Sequence, residues 1–153
     1  MVNMKRCLTL IVVFLILLSN TISVSAAQSE SIIHSQSYAL ENGIVVTDEL
    51  ISSSPLRSST RDYTLRRTFS TGGTTIAIIA LYGEFTYDGS HVSVLEKSVT
   101  QTSTYNGWNY AQTSLTSSGG TITLNAKLTK LLHSSIPINM TLSCDANGNI
   151  SYT

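Results

Sequence analysis

Residues 76–99 read IAIIALYGEFTYDGSHVSVLEKSV, and they decide the fold class. The first half of this stretch places apolar side chains on both faces of an extended chain, which predicts a central strand that is covered on both sides. Asp88 and Gly89 follow as a hairpin signal, since both central residues of a type I′ turn need positive φ.

The second strand of that hairpin carries two alternation registers. Val92 and Val94 follow one register, and Leu95 and Val99 follow the other. One extra residue in a strand reconciles two registers, so we expect a β-bulge near Val94 and Leu95.

From Tyr63 onward, short runs of alternating apolar and polar residues are separated by turn signals. Glycine-containing pairs supply several of these signals, at residues 72–73, 106–107, 119–120 and 147–148. The pattern predicts an all-β fold, a single antiparallel β-sandwich of about six to seven strands and Ig-like size over residues 62–153. A small β-barrel is the alternative.

The N-terminus has the three parts of a cleavable signal peptide, which we assign to residues 1–27. Lys5 and Arg6 supply positive charge, residues 8–18 form an apolar segment, and residues 25–27 are the small residues before the cleavage site. The apolar segment is shorter than the roughly 20 residues that a membrane-spanning helix needs. We therefore expect a secreted, extracellular protein, either free or associated with the cell wall, with no transmembrane anchor after cleavage.

Residues 28–61 are polar and rich in serine, and only residues 43–46 have strand character. We interpret the segment as a flexible Ser-rich lead-in, either a spacer or a removed pro-segment. The chain thus divides into a signal peptide, a lead-in and one sandwich domain.

Charge and cysteine content narrow the partners and the compartment. Loss of Lys5 and Arg6 with the signal peptide leaves seven basic and nine acidic residues, a net charge of −2. This balance gives no electrostatic reason to expect nucleic acid as a partner. Cys144 becomes the lone cysteine of the mature chain, so it has no partner for an internal disulfide. Its apolar neighbours along the strand predict a buried, unreactive thiol.

Three segments resemble a known group of proteins. They are GEFTYDGS at residues 83–90, the pair Gly107 and Trp108, and LSCDANGN at residues 142–149. Over residues 63–150 the chain resembles a family of small secreted β-rich proteins of spore-forming Gram-positive bacteria. The resemblance implies a Gram-positive source and a shared fold, and it brings no catalytic residue with it.

Asp145, Asn147 and Asn149 stand at the first, third and fifth positions of a calcium-loop pattern. Ile150 occupies the sixth position, where such a loop needs glycine, so we interpret the segment as an Asn-Gly turn. We expect no metal site and no cofactor.

Two other groups could suggest catalysis. Ser90 and His91, with Asp88 nearby, could form a nucleophile and its base, but adjacent strand residues point to opposite faces. Glu84 and Glu96 could form the carboxylate pair of a glycosidase, yet their offsets from the turn predict near neighbours rather than directly opposed residues. We therefore predict no catalytic residues.

Tyr105, Trp108 and Tyr110 form the densest aromatic group and are the candidate binding residues. Around a turn they could stack on a sugar ring or anchor a protein partner. Trp108 is also a candidate for the core tryptophan of the sandwich.

These observations favour a secreted, non-catalytic extracellular module that binds cell wall, glycan or another protein. A secreted antimicrobial or pore-forming β-protein is the alternative, because strands that alternate polar and apolar residues can also line a membrane pore. An enzyme or an enzyme inhibitor ranks last, because no motif supports either.

The signal peptide yields a direct prediction. Protein recovered from culture medium should begin at Gln28, or at Ala27 if cleavage falls one residue earlier, as read by N-terminal sequencing. A secreted chain that still begins at Met1 would contradict the assignment.

Overall fold

The computed structural model describes residues 30–53, 59–105 and 107–153. The predicted signal peptide, residues 1–27, lies outside the described residues, and so does Asn106 of one predicted turn. Within the described part of the chain, no helix has the length and apolar character to cross a membrane. The strands of this part are β1 (Ser31–Ala39), β2 (Val45–Ser52), β3 (Thr60–Thr71), β4 (Thr74–Tyr87), β5 (Val92–Thr104), β6 (Asn109–Ser118), β7 (Thr121–Thr129), β8 (Ile136–Cys144) and β9 (Ile150–Tyr152).

The strands form two antiparallel sheets in chain order. One sheet has the order β1-β2-β3-β4-β5, and the other has the order β6-β7-β8-β9. The sheets share one hydrophobic core and do not close into a barrel, so the predicted all-β sandwich is confirmed and the small-barrel alternative is not the observed arrangement. The described residues contain nine strands instead of the expected six to seven.

The two additional strands come from the segment interpreted as a flexible lead-in. Within residues 28–61, the structure places β1 and β2, and β2 buries Val46, Leu50 and Ile51. The sandwich therefore begins at Ser31 and not at residue 62. Sequence alternation does not reveal β1, because all nine of its residues are exposed.

The core is made by the inward faces of both sheets. Gly83 lies on the inner face of β4, where a Cβ atom would overlap the Ile122 side chain of the opposite sheet. This close approach explains why glycine interrupts an otherwise large-residue strand. The largest fully buried side chains are Val46, Leu65, Phe69, Ile79, Leu81, Phe85, Ile122, Leu124, Leu128, Ile138, Met140 and Leu142.

The β4–β5 connection has a four-residue loop at residues 88–91 instead of a two-residue type I′ turn. Gly89 has φ of 88°, but Leu132 is the one described non-glycine residue with positive φ, so Asp88 does not share this geometry. The Asp88 side chain instead accepts hydrogen bonds from the backbone N–H groups of Ser90 and His91, at 2.8 and 2.7 Å. The predicted position of the turn is confirmed, and the predicted type I′ geometry is wrong. The hydrogen bonds of the Asp88 side chain stabilise the four-residue loop without the positive φ at Asp88 that a type I′ turn needs.

The predicted bulge in β5 is confirmed. Val94 pairs with Phe85 and Glu96 pairs with Glu84, so Leu95 is the extra residue between them. The Leu95 side chain is 57% exposed, because the bulge turns it away from the core.

A buried ion pair joins the neighbouring strands β2 and β3 on the inner face of their sheet. Arg67 donates from Nε to Oδ1 of Asp48 at 2.6 Å and from Nη2 to Oδ2 at 2.7 Å. Its Nη1 donates to the backbone carbonyl of Asn139 on β8 at 2.9 Å, which joins the two sheets. Asp48 is 1% exposed and Arg67 is 7% exposed. Burial by itself lowers the pKa of Arg67, but the hydrogen bonds and charge of Asp48 outweigh it and raise the pKa above its ordinary value.

We expect Asp48→Leu or Arg67→Met alone to lower the free energy of unfolding by about 3–5 kcal/mol, because each leaves a buried charge without its partner. The double variant Asp48→Leu with Arg67→Met should lose much less free energy of unfolding than the two single losses added together, because it leaves no unpaired charge in the core. Urea unfolding of all four proteins measures the coupling. Single losses below about 1 kcal/mol, or additive losses, would contradict this role of the pair.

Candidate functional site

Four connections gather at one end of the sandwich, which we call the loop end. They are the β1–β2, β3–β4, β5–β6 and β7–β8 connections. Alternate turns of an antiparallel meander fall at the same end, so segments distant in sequence meet there. The β5–β6 connection also carries the chain from one sheet to the other.

A pocket of about 410 Å³ opens at the loop end. Three of the four connections contribute side chains to it, together with the last residue of β3. The lining residues are Asn42, Ile44, Thr71, Trp108, Lys130, Leu132, His133 and Ser134. Sequence analysis identified only Trp108 among them, because the others come from separate loops and no periodic pattern connects them.

Trp108 sits at the base of this pocket. It follows Gly107, whose φ of 77° turns the chain, and it is 7% exposed and part of the hydrophobic core. The Lys130 ammonium lies 5.9 Å from the Trp108 ring centroid, within reach of a cation–π contact. The His133 ring lies at 5.9 Å in a tilted arrangement. The indole therefore packs against the core while these two side chains border it on the pocket side.

The three aromatic residues predicted to bind do not form one platform. Tyr105 is 51% exposed on the β5–β6 connection, and its N–H donates to the carbonyl of Ile76 at 3.0 Å. Tyr110 is half-buried on β6, where it pairs with Leu128 and packs against the core. Burial raises the pKa of the Tyr110 hydroxyl. Trp108 alone of the three lines the pocket, and its burial agrees with the core alternative.

Lys130 is the source of positive charge in the pocket, and the His133 imidazole is a further lining group. No lining residue within the described chain is a carboxylate. Asn42, Thr71 and Ser134 add neutral hydrogen-bonding groups to the rim. An apolar base with a few polar groups around it is the usual form of a small-ligand site.

The β7–β8 connection projects two leucines beside the pocket. Leu131 is 85% exposed and Leu132 is 96% exposed. Leu132 also has φ of 61°, a conformation that costs a bulky residue about 1–2 kcal/mol. A hydrogen bond from the His133 N–H to the Lys130 carbonyl, at 3.1 Å, closes the turn around them. Exposed apolar residues in a strained turn are a feature that packing does not explain.

The Ser90, His91 and Asp88 group lies at the opposite end of the sandwich. The Asp88 carboxylate is held by the two backbone N–H groups of its loop, which lower its pKa, with His91 the larger contributor. His91 Nδ1 lies 3.7 Å from Asp88 Oδ2, and both side chains are largely exposed. The described contacts organise a turn and place no base on the Ser90 hydroxyl.

Glu84 and Glu96 are directly opposite each other, which corrects the expectation that they would only be near neighbours. The bulge at Leu95 removes the offset that the turn alone would produce. Asp62 pairs with Glu84 on the other side, so three carboxylates form a row across the outer face. Burial raises the pKa of the nearby Tyr82, and the charges of this row raise it further. Like charges directly opposite one another oppose strand pairing, so the row does not itself stabilise the sheet.

The Asp145 segment forms a turn, as the sequence predicted. Its carboxylate accepts hydrogen bonds from the N–H groups of Asn147 and Asn149, at 2.9 and 2.8 Å, and from the Asn149 side chain at 2.8 Å. These bonds lower the pKa of Asp145, with the Asn149 side chain the largest contributor. Cys144 is 5% exposed, and burial raises the pKa of its thiol.

Comparisons of the chain with protein-family models, curated proteins and solved structures return no match. In the described ranges, no group of three or more His, Cys, Asp or Glu side chains has an arrangement that could hold a metal ion. The pocket at the loop end combines an apolar lining with cationic and neutral polar groups, so the functional interpretation is built on it.

Proposed function

We propose that this protein is a secreted, non-catalytic extracellular module of a Gram-positive bacterium, and that it binds a cell-wall glycan at the loop end. The observation that carries the proposal is the pocket of about 410 Å³ with Trp108 at its base and Lys130 and His133 beside it. The signal peptide and the resemblance to secreted Gram-positive proteins support the location.

The pocket suits a saccharide for two reasons. The buried Trp108 indole gives the pocket an apolar lining beside Lys130 and His133, against which the C–H groups of a sugar ring can pack. Asn42, Thr71 and Ser134 supply amide and hydroxyl groups that can pair with sugar hydroxyls, and such groups fix the orientation of a ligand.

The charge of the pocket favours an acidic saccharide over a neutral one. Lys130 can form a charge-assisted hydrogen bond with a carboxylate, which is stronger than a bond between neutral groups. The described lining residues include no carboxylate to compete for it. A wall glycan that carries carboxylate-bearing sugars is therefore the proposed ligand, and a protein partner is the less favoured occupant.

Trp108 is the sole tryptophan of the chain, so its fluorescence reports directly on the pocket. Titration with soluble glycan strands of peptidoglycan whose stem peptides have been removed, which leaves the carboxylate of N-acetylmuramic acid free, should change the emission with a saturable profile. Oligomers of N-acetylglucosamine, which lack the carboxylate, should bind more weakly. Lys130→Gln should weaken binding of the acidic fragments by about tenfold, equivalent to about 1.4 kcal/mol.

Lys127→Gln is the matched control, because Lys127 is an exposed lysine on β7 that does not line the pocket. It removes the same charge and should leave the affinity unchanged. No fluorescence change and no retention on insoluble peptidoglycan would contradict the glycan proposal. Equal effects of Lys130→Gln and Lys127→Gln would show that binding depends on net charge and not on this pocket.

Membrane contact is a second candidate function, in line with the alternative of an antimicrobial or pore-forming protein. The exposed pair Leu131 and Leu132 favours it, because two large exposed apolar side chains on one connection can enter the interfacial region of a bilayer. Lys130 beside them would meet anionic headgroups.

Release of a trapped dye from anionic liposomes tests this second candidate. The native protein should release dye at micromolar concentration, and the double variant Leu131→Ser with Leu132→Gly should not. Glycine also accepts the positive φ at position 132, so the variant should remain folded. Leu95→Ser, which alters an exposed leucine on β5, is the matched control. Intact vesicles with the native protein would rule out pore formation.

A further inference from the structure

The outer edge of the five-stranded sheet is formed by β1 (Ser31–Ala39), and β1 is open to solvent on both faces. It pairs with β2 along its length, apart from an irregularity between Ile32 and His34. The His34 ring also accepts or donates a hydrogen bond to the Tyr152 hydroxyl of β9, with the rings 5.7 Å apart in an edge-to-face arrangement. This contact keeps β1 in place on its own sheet.

The direction of the backbone groups along β1 follows from one hydrogen bond. The Leu40 N–H donates to the Ile44 carbonyl at 2.8 Å, so Leu40 faces β2. In an antiparallel ladder the residues alternate between facing the partner and facing away. Because Ala39 pairs with Val45 next along the register, the N–H and C=O groups of Ser35, Ser37 and Ala39 point away from β2.

Other open edges of the described sandwich carry features that oppose strand addition. On β8, the Thr141 backbone pairs with Thr153, on the side of β8 that faces away from β7. Because strand residues alternate, the backbone groups of residues 137 and 139 point to this same side. Pro137 has no N–H to offer, and the Asn139 carbonyl already accepts a hydrogen bond from Arg67. The edge strand β5 has the bulge at Leu95 and two charged residues beside it, and such features discourage pairing between molecules.

The edge strands β5 and β6, which belong to different sheets, are in contact with each other. Lys97 of β5 donates from Nζ to the Ser117 hydroxyl of β6 at 2.9 Å, and β6 has its own irregularity between Gln112 and Ser114. By contrast, β1 contains no lysine, arginine, acidic residue or proline. It is a long uncharged edge strand of the kind that natural proteins ordinarily protect.

We propose that β1 pairs with β1 of a second copy of this chain, in an antiparallel arrangement centred on Ser37. This register uses the regular half of the strand and avoids the irregularity near Ile33. It places Ser37 opposite Ser37 of the second copy, Ser35 opposite Ala39, and Gln36 opposite Tyr38. The outward groups of three residues per chain then form about six hydrogen bonds.

The sequence of β1 suits self-pairing better than pairing with an unrelated strand. Every opposed pair is uncharged, so the two-fold arrangement brings no like charges together. The side chains of Ser35, Ser37 and Ala39 lie on one face of β1. Because they are small, they do not obstruct the approach of β1 from the second copy. Tyr38, which is 42% exposed in the single chain, gains a neighbour across the new ladder.

The pairing has a consequence for the loop end. Antiparallel strands run in opposite directions, so the two loop ends of such a dimer lie at opposite ends of a continuous ten-stranded sheet. The two pockets then face away from each other, and the dimer could connect two surfaces. The dimer itself does not depend on the proposed glycan function, and its test involves no ligand.

Sedimentation velocity of the mature chain, at concentrations from 1 to 100 micromolar, should show a monomer–dimer equilibrium. Ser37→Pro removes the central outward N–H, which an edge strand tolerates because that group faces solvent in the single chain. Ser37→Lys places two like charges at the two-fold axis. Both variants should sediment as monomers while retaining the circular dichroism spectrum of the native protein.

Ser151→Lys is the matched control, since it adds the same charge to an exposed position on β9, and it should leave the dimer intact. Hydrogen exchange gives a site-specific reading: the Ser35, Ser37 and Ala39 amides should gain protection as concentration rises, and those of Gln36 and Tyr38 should not. A native monomer throughout, a dimer that persists in both Ser37 variants, or assemblies larger than two would overturn the proposal.

Discussion

The ion pair between Asp48 and Arg67 lies where a β-sandwich ordinarily places apolar side chains, so its contacts must offset the cost of removing two charges from water. The pair does this with a two-pronged guanidinium–carboxylate contact at 2.6 and 2.7 Å. The remaining guanidinium nitrogen, Nη1, binds the Asn139 carbonyl of the opposite sheet. The first two bonds join β2 and β3 within one sheet, and the bond from Nη1 to Asn139 is the one that connects the buried pair to the opposite sheet. The same contact occupies a carbonyl on the open edge of β8, so it also helps to protect that edge.

This ion pair explains why part of the fold could not be read from the sequence. The strands from β3 onward alternate apolar and polar residues, so the sequence predicts them. The bulge at Leu95 is also predictable, because the apolar positions of β5 change register within the sequence. On β2, however, the inward positions include Asp48 and Ser52 among apolar residues, so the strand resembles a solvated segment. The residue that compensates Asp48 lies 19 positions later, and no local pattern connects the two. Propensity and periodicity report on residues that are close along the chain. The burial of β2 depends instead on Arg67 of the neighbouring strand, which compensates the charge of Asp48.

The candidate site shows the same division between local and distant information. The sequence supports two interpretations of Trp108, a binding residue or the core tryptophan of the sandwich, and the structure agrees with the second. The surroundings of Trp108 were not predictable, because Asn42, Lys130 and His133 belong to loops that meet only when alternate turns of the meander gather at one end. Likewise, the opposition of Glu84 and Glu96 required the bulge and the turn to be counted together, and the turn has four residues where two were expected.

The two ends of the sandwich differ in how their polar and apolar groups are arranged, and this difference supports placing the proposed binding site at the loop end. At the end that holds Asp88 and Asp145, each carboxylate accepts several hydrogen bonds from its own turn. At the loop end, Leu131 and Leu132 project into solvent, and Leu132 holds a backbone conformation that leucine rarely adopts. Departures from local preference persist where something other than stability maintains them. The strained loop, the pocket and the charge of Lys130 occur together at the loop end, and for this reason the proposed binding site is placed there.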